Sequence, residues 1–288
     1  MVITGAGGFI GGALARYFHD RGHMRIRAVD KKPLSEWYQR VPGVQNLCLD
    51  LSREENCIRV CEGATEVYNL AADMGGMGFI ERFRVECLRS ILINTHMIEA
   101  ACRAGVERYF FSSSACAYNT ELQKDPQPRA LRESDAYPAM AERGYGWEKL
   151  LSEIFCQEYW AERGLETHVA RFHNIYGPWG TWFGGREKAP AAMCRKVIEA
   201  KNTGAKVIEI WGDGTQTRSF CFVDDCGHRR APARGMVRRG RRRRASRLAA
   251  GGRAADRGHR HRRSGRNPHP GPLPAYRERE FEEYRERE

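Results

Sequence analysis

The chain is 288 residues long and carries a net charge of +12, but this charge is not spread evenly. Residues 1–226 contain 28 basic and 29 acidic residues, whereas residues 227–288 contain 20 arginines, no lysine and 7 acidic residues. The basic excess therefore lies entirely in the last 62 residues, and it does not indicate a nucleic-acid partner for the rest of the chain.

Up to residue 226, short apolar runs alternate with amphipathic stretches. The predicted strands cover residues 2–3, 26–29, 44–49, 66–70, 109–113 and 167–170. Apolar residues at helical spacing predict a helix after the first strand, a long helix over residues 84–104 and another over residues 145–163. This alternation predicts a parallel sheet with right-handed crossovers, which is an α/β, doubly wound Rossmann fold.

The last part of the chain, residues 227–288, has a different composition. Residues 228–266 consist almost wholly of Arg, Gly, Ala, His and Ser, without hydrophobic periodicity. Because such a composition cannot bury a core, we expect this tail to be disordered. Two interpretations are open: an RNA-binding arm, or the out-of-frame translation of GC-rich DNA. The absence of lysine and the abrupt loss of periodicity favour the second, so nucleic acid is not expected as a partner.

The cysteines and the absence of recognisable targeting signals indicate the cellular compartment that we expect for the protein. The ten cysteines all lie within residues 1–226 and form no CxxC pair, which is typical of a reducing, cytoplasmic protein. We expect no metal site, no signal peptide and no membrane helix, because no apolar run approaches the roughly 18 residues that a membrane span needs. The first strand is unusually short, so we also expect that some residues before it are missing.

A glycine-rich loop follows the first strand and opens a helix. Gly5, Gly8 and Gly11 have the GxxGxxG spacing, with Phe9 and Ile10 between the last two. Glycine at these positions permits a tight turn, close approach of a pyrophosphate and close packing of helix on strand. The N–H groups at the start of the helix can then hold the phosphates. The alternative, an ordinary strand–helix turn, agrees less well with the acidic residues downstream.

Two acidic residues at strand ends accompany this loop. Asp30 follows the second strand, nineteen residues after Gly11, where it can accept hydrogen bonds from ribose hydroxyls and repel a 2′-phosphate. This favours NAD over NADP, although Lys31 and Lys32 argue in the other direction. Asp50, at the end of the third strand, is expected beside the adenine.

A YxxxK pair occupies the start of the predicted helix over residues 145–163. Tyr145 and Lys149 lie four residues apart and therefore on one helix face, where an ammonium group favours the phenolate. Such a phenol can take a proton from a hydroxyl group. The serines of residues 112–114 end the fifth strand and can hydrogen-bond the same substrate oxygen. The alternative is a surface Tyr–Lys pair beside a serine helix cap.

Together these motifs resemble the extended short-chain dehydrogenase/reductase family. Cys116, two residues after Ser114, stands where the family's dehydratases usually carry an Asp–Glu pair. This cysteine and further segments resemble the GDP-mannose 3,5-epimerase family over residues 1–226. Those segments are AADMGGMGFI at 71–80, RFHNIYGP at 171–178, GGREKAPAA at 184–192 and WGDGTQTRSF at 211–220.

The resemblance implies an NAD-dependent isomerase that oxidises GDP-mannose transiently at C4 and inverts C3 and C5, giving GDP-L-galactose and GDP-L-gulose. In the mechanism that the resemblance implies, Tyr145 deprotonates the C4 hydroxyl of the sugar, assisted by Lys149 and Ser114. Cys116 and Lys188 exchange protons on opposite faces of the sugar ring. It implies a GDP-sugar substrate as a partner. A homodimer is a further expectation, which the sequence itself does not settle. The implied substrate contacts are Gly75, Ser114, Ala115, Cys116, Asn174, Glu187, Lys188, Ala189, Lys196, Gln216 and Arg218.

The same resemblance divides the chain into an NAD-binding Rossmann domain at 1–170, a partial substrate-binding region at 171–226 and the Arg-rich tail. The family continues beyond residue 226 with sequence that includes a further nucleotide-contacting arginine, and this chain has arginine-rich sequence there instead. Three alternatives therefore stay open: another NAD-dependent sugar-nucleotide epimerase or dehydratase, an inactive truncated product that binds NAD, and an Arg-rich nucleic-acid-binding protein.

Overall fold

The computed structural model describes residues 1–123, 129–210, 214 and 217–230, with side chains up to residue 226. Its main sheet has six strands, all parallel, in the order β3-β2-β1-β4-β5-β6. These strands are β1 (Val2–Thr4), β2 (Arg27–Asp30), β3 (Gln45–Cys48), β4 (Glu66–Asn69), β5 (Arg108–Ser114) and β6 (Glu166–Phe172). The order reverses beside β1, and the doubly wound parallel fold predicted from the sequence is confirmed.

Helices cover both faces of this sheet. They are α1 (Phe9–His19), α2 (Glu54–Cys61), α3 (Met77–Arg82), α4 (Arg84–Leu88), α5 (Ser90–Arg103) and α6 (Tyr145–Arg163). Adjacent residues of β1 point to opposite faces: Val2 packs with α2 and α5, and Ile3 packs with α1. Both side chains are fully buried, so the short first strand is the centre of the core.

The predicted helix over residues 84–104 is two helices in the structure, α4 and α5. The break falls at Arg89. The Arg89 carbonyl oxygen accepts a hydrogen bond from the N–H of Leu92, only three residues ahead, at 3.1 Å. At the start of α5, the hydroxyl of Ser90 accepts a hydrogen bond from the N–H of Asp73 at 3.0 Å. The apolar spacing continues through the break, which is why the sequence predicts one helix.

Helix α6, predicted over residues 145–163, has the same bounds in the structure, and a glycine with positive φ flanks each end. Gly144 precedes it with φ 101°, and Gly164 ends it in the left-handed conformation with φ 75°. The sharp entry at Gly144 places Tyr145 in the first turn, next to the carboxyl end of β5.

A second, two-stranded parallel sheet follows β6. It consists of β7 (Asn174–Tyr176) and β8 (Phe220–Phe222), accompanied by α7 (Ala189–Thr203) and α8 (Val223–Arg230). Ile175, Val223 and Cys226 form a small core against Phe9 and Ile10 of α1. This packing holds the second sheet beside the glycine loop. The Arg-rich tail and its predicted disorder lie outside the described residues, apart from the end of α8.

Candidate active site

The glycine loop closes tightly between β1 and α1. Gly5 has φ 67°, and a Cβ atom there would lie 2.9 Å from the carbonyl oxygen of Leu70. A Cβ atom on Gly11 would lie 2.2 Å from the carbonyl oxygen of Gly5, so this position accepts only glycine. Among the described residues, no side chain caps α1 at Gly8, which leaves its first N–H groups available to a phosphate.

Asp30 lies at the carboxyl end of β2 and faces this loop. Its carboxylate accepts hydrogen bonds from the N–H of Gly7 at 3.1 Å and from the N–H of Lys32 at 3.0 Å. Both neighbouring lysine side chains are engaged elsewhere: Lys31 pairs with Asp73 at 2.7 Å, and the Lys32 ammonium lies 4.5 Å from the centre of the Tyr38 ring. The arrangement fits a ribose diol and opposes a 2′-phosphate.

A cleft of about 1160 Å³ runs along the carboxyl ends of the strands. This exceeds the range of roughly 300–1,000 Å³ that is usual for the site of one small ligand. The residues predicted from the sequence that line it are Gly5, Gly8, Phe9, Ile10, Gly11, Asp30, Asp50, Gly75, Ser114, Tyr145, Lys149 and Lys188. All nine predicted cofactor-binding residues are therefore together, although residue roles remain predictions.

Tyr145 and Lys149 are almost fully buried in the floor of this cleft. The Lys149 ammonium lies 5.5 Å from the centre of the Tyr145 ring and 4.7 Å from that of Phe111. Burial raises the pKa of the Tyr145 phenol well above 10, and a hydrogen bond with the Ser114 hydroxyl lowers it. A phenol, an ammonium and a serine hydroxyl thus converge at the end of β5, as the YxxxK motif and residues 112–114 predict.

Cys116 and Lys188 come from distant parts of the sequence and interact electrostatically. Burial raises the pKa of the Cys116 thiol, and the charge of Lys188 acts against this rise. Burial lowers the pKa of Lys188. At neutral pH the thiol therefore keeps its proton while the amine loses its proton more readily than an ordinary lysine, so the pair can donate and accept a proton.

The backbone at Cys116 is fixed against the start of α6. The Cys116 carbonyl oxygen accepts a hydrogen bond from the N–H of Glu142 at 3.0 Å, and the Glu142 carboxylate accepts one from the N–H of Gly146 at 2.9 Å. A Cβ atom on Gly146 would lie only 2.2 Å from the Cys116 carbonyl oxygen. The glycine inside the YxxxK motif is therefore what lets Tyr145 and Cys116 approach each other.

The loop after β4 lies against the segment that carries Lys188. Gly76 donates its N–H to the carbonyl oxygen of Arg186 at 3.1 Å, and a Cβ atom on Gly76 would lie 2.6 Å from the carbonyl oxygen of Glu187. The Arg186 guanidinium lies 3.8 Å from the centre of the Phe79 ring. One wall of the cleft is thus formed by two segments about a hundred positions apart in the sequence, residues 71–80 and residues 184–192.

Comparison with known proteins agrees with this geometry. A family model described as "NAD dependent epimerase/dehydratase family" matches residues 1–228. The chain belongs to this family. NAD, predicted from Asp30 and the glycine loop, is the family's cofactor, and the residues that line the cleft fit it.

Relatives by sequence include the GDP-mannose 3,5-epimerase of Arabidopsis thaliana and GDP-mannose 3,5-epimerase 1 of Oryza sativa subsp. japonica. Each is 46% identical over 231 residues, which is 78% of this chain and 58% of the relative. The chain thus spans less than two thirds of the length of these relatives. The resemblance stated from the sequence is confirmed, and the GDP-L-fucose synthase of Escherichia coli is a more distant match at 26% identity, covering 77% of this chain and 65% of that protein.

Solved structures agree on the fold. The UDP-glucose 4-epimerase of Thermotoga maritima has a TM-score of 0.67 at 20% identity, covering 79% of this chain and 70% of that one. The Thermus thermophilus UDP-glucose 4-epimerase in complex with NAD has a TM-score of 0.64 at 22% identity, covering 79% and 71%. At such identities the likeness concerns the fold alone.

Several residues carried over from the resemblance do not line the cleft of this family member. Ala115 and Cys116 follow Ser114, and Ala189 begins α7. The amide of Asn174 donates to the carbonyl oxygen of Ser219 at 3.1 Å. Glu187 pairs with Arg195, which itself lines the cleft. Lys196 donates to the carbonyl oxygen of Glu209, and Arg218 donates to that of Thr217. Gln216 lies outside the described residues.

The residues that line the cleft and that received no role from the sequence include Met74, His173, Arg186 and Arg195. Arg195 follows Lys188 by seven positions, which is two helical turns, so helix periodicity could have placed it on the same face. Met74 and His173 lie within the segments 71–80 and 171–178 that carry the family resemblance, but the resemblance assigned them no role. Within the described ranges, no group of three potential metal ligands occurs, and no helix is long and apolar enough to span a membrane.

Proposed function

We propose that this chain carries the NAD-binding and catalytic part of a nucleotide-sugar epimerase that acts on GDP-mannose. The observation that carries the proposal is that Cys116 packs against Tyr145 and interacts electrostatically with Lys188, since oxidation at C4 alone needs no second pair of proton-exchanging groups. Relatives at 46% identity that are named GDP-mannose 3,5-epimerases support this choice of substrate. The products would be GDP-L-galactose and GDP-L-gulose.

Tyr145 would take the proton of the C4 hydroxyl while the Ser114 hydroxyl orients the same oxygen. Bound NAD supplies the oxidation at C4 and its reversal, so that the net reaction is an isomerisation. Lys149 would hold positive charge near the phenol, and the burial of both side chains excludes water from the reacting centre. Gly5, Gly8 and Gly11 would hold the pyrophosphate and Asp30 the adenosine ribose.

A ketone at C4 acidifies the hydrogens at C3 and C5. Lys188 lines the cleft and has its pKa lowered by burial, so it is suited to remove a carbon-bound proton. The Cys116 thiol does not line the cleft but packs against Tyr145, and we propose that it supplies a proton on the other face of the ring. Inversion needs two such groups because the proton leaves one face and returns to the other. None of the ten cysteines, which all lie among the described residues, forms a disulfide, and this supports a reducing, cytoplasmic location.

The test is the product of the purified chain supplied with NAD and GDP-mannose and followed by proton NMR. GDP-L-galactose and GDP-L-gulose are expected, and Tyr145→Phe should abolish both while still binding NAD. A 4-epimer or a 6-deoxy-4-keto sugar from the unaltered chain would instead assign the site to another member of the family. A chain that binds NAD but turns over none of these sugars would contradict the proposed activity.

A further inference from the structure

Glu148, inside the YxxxK motif, carries a carboxylate that is fully buried beside Lys149. One oxygen, Oε2, lies 3.8 Å from the Lys149 ammonium and has no hydrogen-bond partner among the described residues. The other oxygen, Oε1, accepts a hydrogen bond from the amide of Asn94 and lies 3.2 Å from the Ser152 hydroxyl. Burying a carboxylate with an unsatisfied oxygen reduces the stability of the fold. The position of Glu148 next to the Lys149 ammonium therefore indicates a function beyond stability.

Buried polar side chains connect this carboxylate to the strand that carries the glycine loop. The amide of Asn69 in β4 donates to the Asn94 oxygen at 2.9 Å, and the Thr4 hydroxyl in β1 donates to the Asn69 oxygen at 2.8 Å. The Thr4 hydroxyl in turn accepts the N–H groups of Leu70 and Ala71. Glu148 is therefore held in one orientation by side chains from three other elements, β1, β4 and α5.

We propose that Glu148 is a positioning residue that acts through Lys149, and that its buried carboxylate opposes the field which the Lys149 ammonium exerts on the Tyr145 phenol. With Glu148 neutral, the ammonium stabilises the phenolate without opposition. With Glu148 ionised, the pair is nearly neutral as a whole, and the phenol keeps its proton. The ionisation of Glu148 thus sets how readily Tyr145 can act as a base.

The other groups around Tyr145 do not replace this effect. Ser114 from β5 hydrogen-bonds the phenol and lowers its pKa, whereas Cys116 and Cys87 from the neighbouring segments raise it. The Glu148 charge also raises the pKa of Tyr145, and burial raises the pKa of Glu148 itself despite the neighbouring Lys149. Of these groups, only the carboxylate lies against the Lys149 ammonium.

The test is the titration of Tyr145 in the full chain labelled with 3-fluorotyrosine, followed by ¹⁹F NMR and assigned with Tyr145→Phe. The fluorophenol is more acidic than tyrosine, which brings the titration into an accessible pH range. In Glu148→Gln the acid dissociation constant of residue 145 should rise by roughly three- to tenfold, as expected when one nearby charge is removed. Glu158→Gln, at an exposed position of the same helix, should leave it unchanged. An unchanged or lower constant in Glu148→Gln would overturn the proposal.

If Glu148→Gln does not fold, the unaltered chain provides a second test of the proposal. Its ¹⁹F resonance at residue 145 should show a second, lower inflection as Glu148 ionises, and a single inflection would contradict the proposal. The catalytic meaning of this inference rests on the proposed base role of Tyr145, but the titration needs neither NAD nor substrate. Failure of the chain to convert GDP-mannose would therefore refute the proposed function, but the titration of Tyr145 would still test the role of Glu148.

Discussion

At the scale of single residues, Asp30 and its two lysine neighbours decide the choice of dinucleotide. Because Lys31 is paired with Asp73 and Lys32 lies over Tyr38, neither ammonium offsets the repulsion between Asp30 and a 2′-phosphate. We predict that the chain binds NAD at least about tenfold more tightly than NADP, measured by calorimetry. Asp30→Asn should narrow this ratio, whereas Asp20→Asn should not. Equal affinity for NADP in the unaltered chain would show that the lysines are available to it.

Cys116 and Lys188 give a second prediction at this scale, on pH. As pH falls through the lowered pKa of Lys188, the amine becomes protonated and proton removal from the sugar ring slows. As pH rises through the raised pKa of Cys116, the thiol is lost and proton donation slows. The rate of ring-proton exchange should therefore be bell-shaped in pH.

A substitution near the thiol tests the alkaline limb of this profile. The Glu142 charge contributes to the raised pKa of Cys116, so Glu142→Gln should move the alkaline limb to lower pH. Glu162→Gln, at an exposed position of α6, is the matched control. Movement of the limb to higher pH, or equal movement in both variants, would remove Cys116 as its origin.

The sequence could predict the residues whose roles depend on local spacing. The glycines of the loop, Asp30 and the Tyr145–Lys149 pair follow from strand ends and helix periodicity. The environment of Glu148 could not be predicted, because its partner Asn94 lies 54 positions away and only folding brings them together. The same holds for Arg186, whose contacts with Met74 and Phe79 cross 112 and 107 positions.

At the scale of elements, the approach of α6 to the residues after β5 depends on Gly146. We predict that Gly146→Ala slows C4 oxidation by at least about tenfold, because misplacement of a catalytic group by a fraction of an ångström is costly. It should also lower the free energy of unfolding by about 1–3 kcal/mol through overpacking against Cys116.

The matched control for this variant is Gly78→Ala in α3, where no described atom lies within 4 Å of the added Cβ atom. It should leave the rate unchanged and not reduce stability, since alanine favours helix. Both variants are compared by urea unfolding and by the absorbance change that accompanies C4 oxidation. Normal activity in Gly146→Ala would mean that the backbone relaxes without moving Tyr145 or Cys116.

The junction of β6 with α6 depends on one buried ion pair. The Arg171 guanidinium donates to both carboxylate oxygens of Glu153, at 2.9 Å and 2.7 Å, and Glu153 also accepts from the Ser113 hydroxyl. Arg171→Met leaves a buried carboxylate without its cation, so the free energy of unfolding should fall by about 3–5 kcal/mol.

Arg53, in an exposed pair with Glu55 at 3.9 Å, provides the control for this change. Arg53→Met should leave stability nearly unchanged, because exposed pairs contribute little. Urea unfolding followed by circular dichroism measures both variants. A loss of similar size in the two variants would show that Arg171 contributes by its charge alone and not by its buried pairing.

At the scale of the whole molecule, the sequence predicts the six-stranded sheet better than the two-stranded one. The strands of the six-stranded sheet are apolar runs between clear turn signals, whereas β7 and β8 have three residues each and pair across more than forty positions. Strands this short carry little periodicity, so the second sheet was not predicted. Lys188 lies between these two strands in the sequence, and its interaction with Cys116 is expected only from the family resemblance.

Ring-proton exchange tests the central claim, that this site inverts carbon centres of a nucleotide sugar, most directly. The chain is incubated with NAD and GDP-mannose in deuterium oxide, and deuterium at each sugar carbon is read by NMR. Incorporation at C3 and C5 is predicted, with loss of that incorporation in Cys116→Ala while C4 oxidation continues. Protein that binds NAD and oxidises C4 but leaves C3 and C5 free of deuterium would contradict the account.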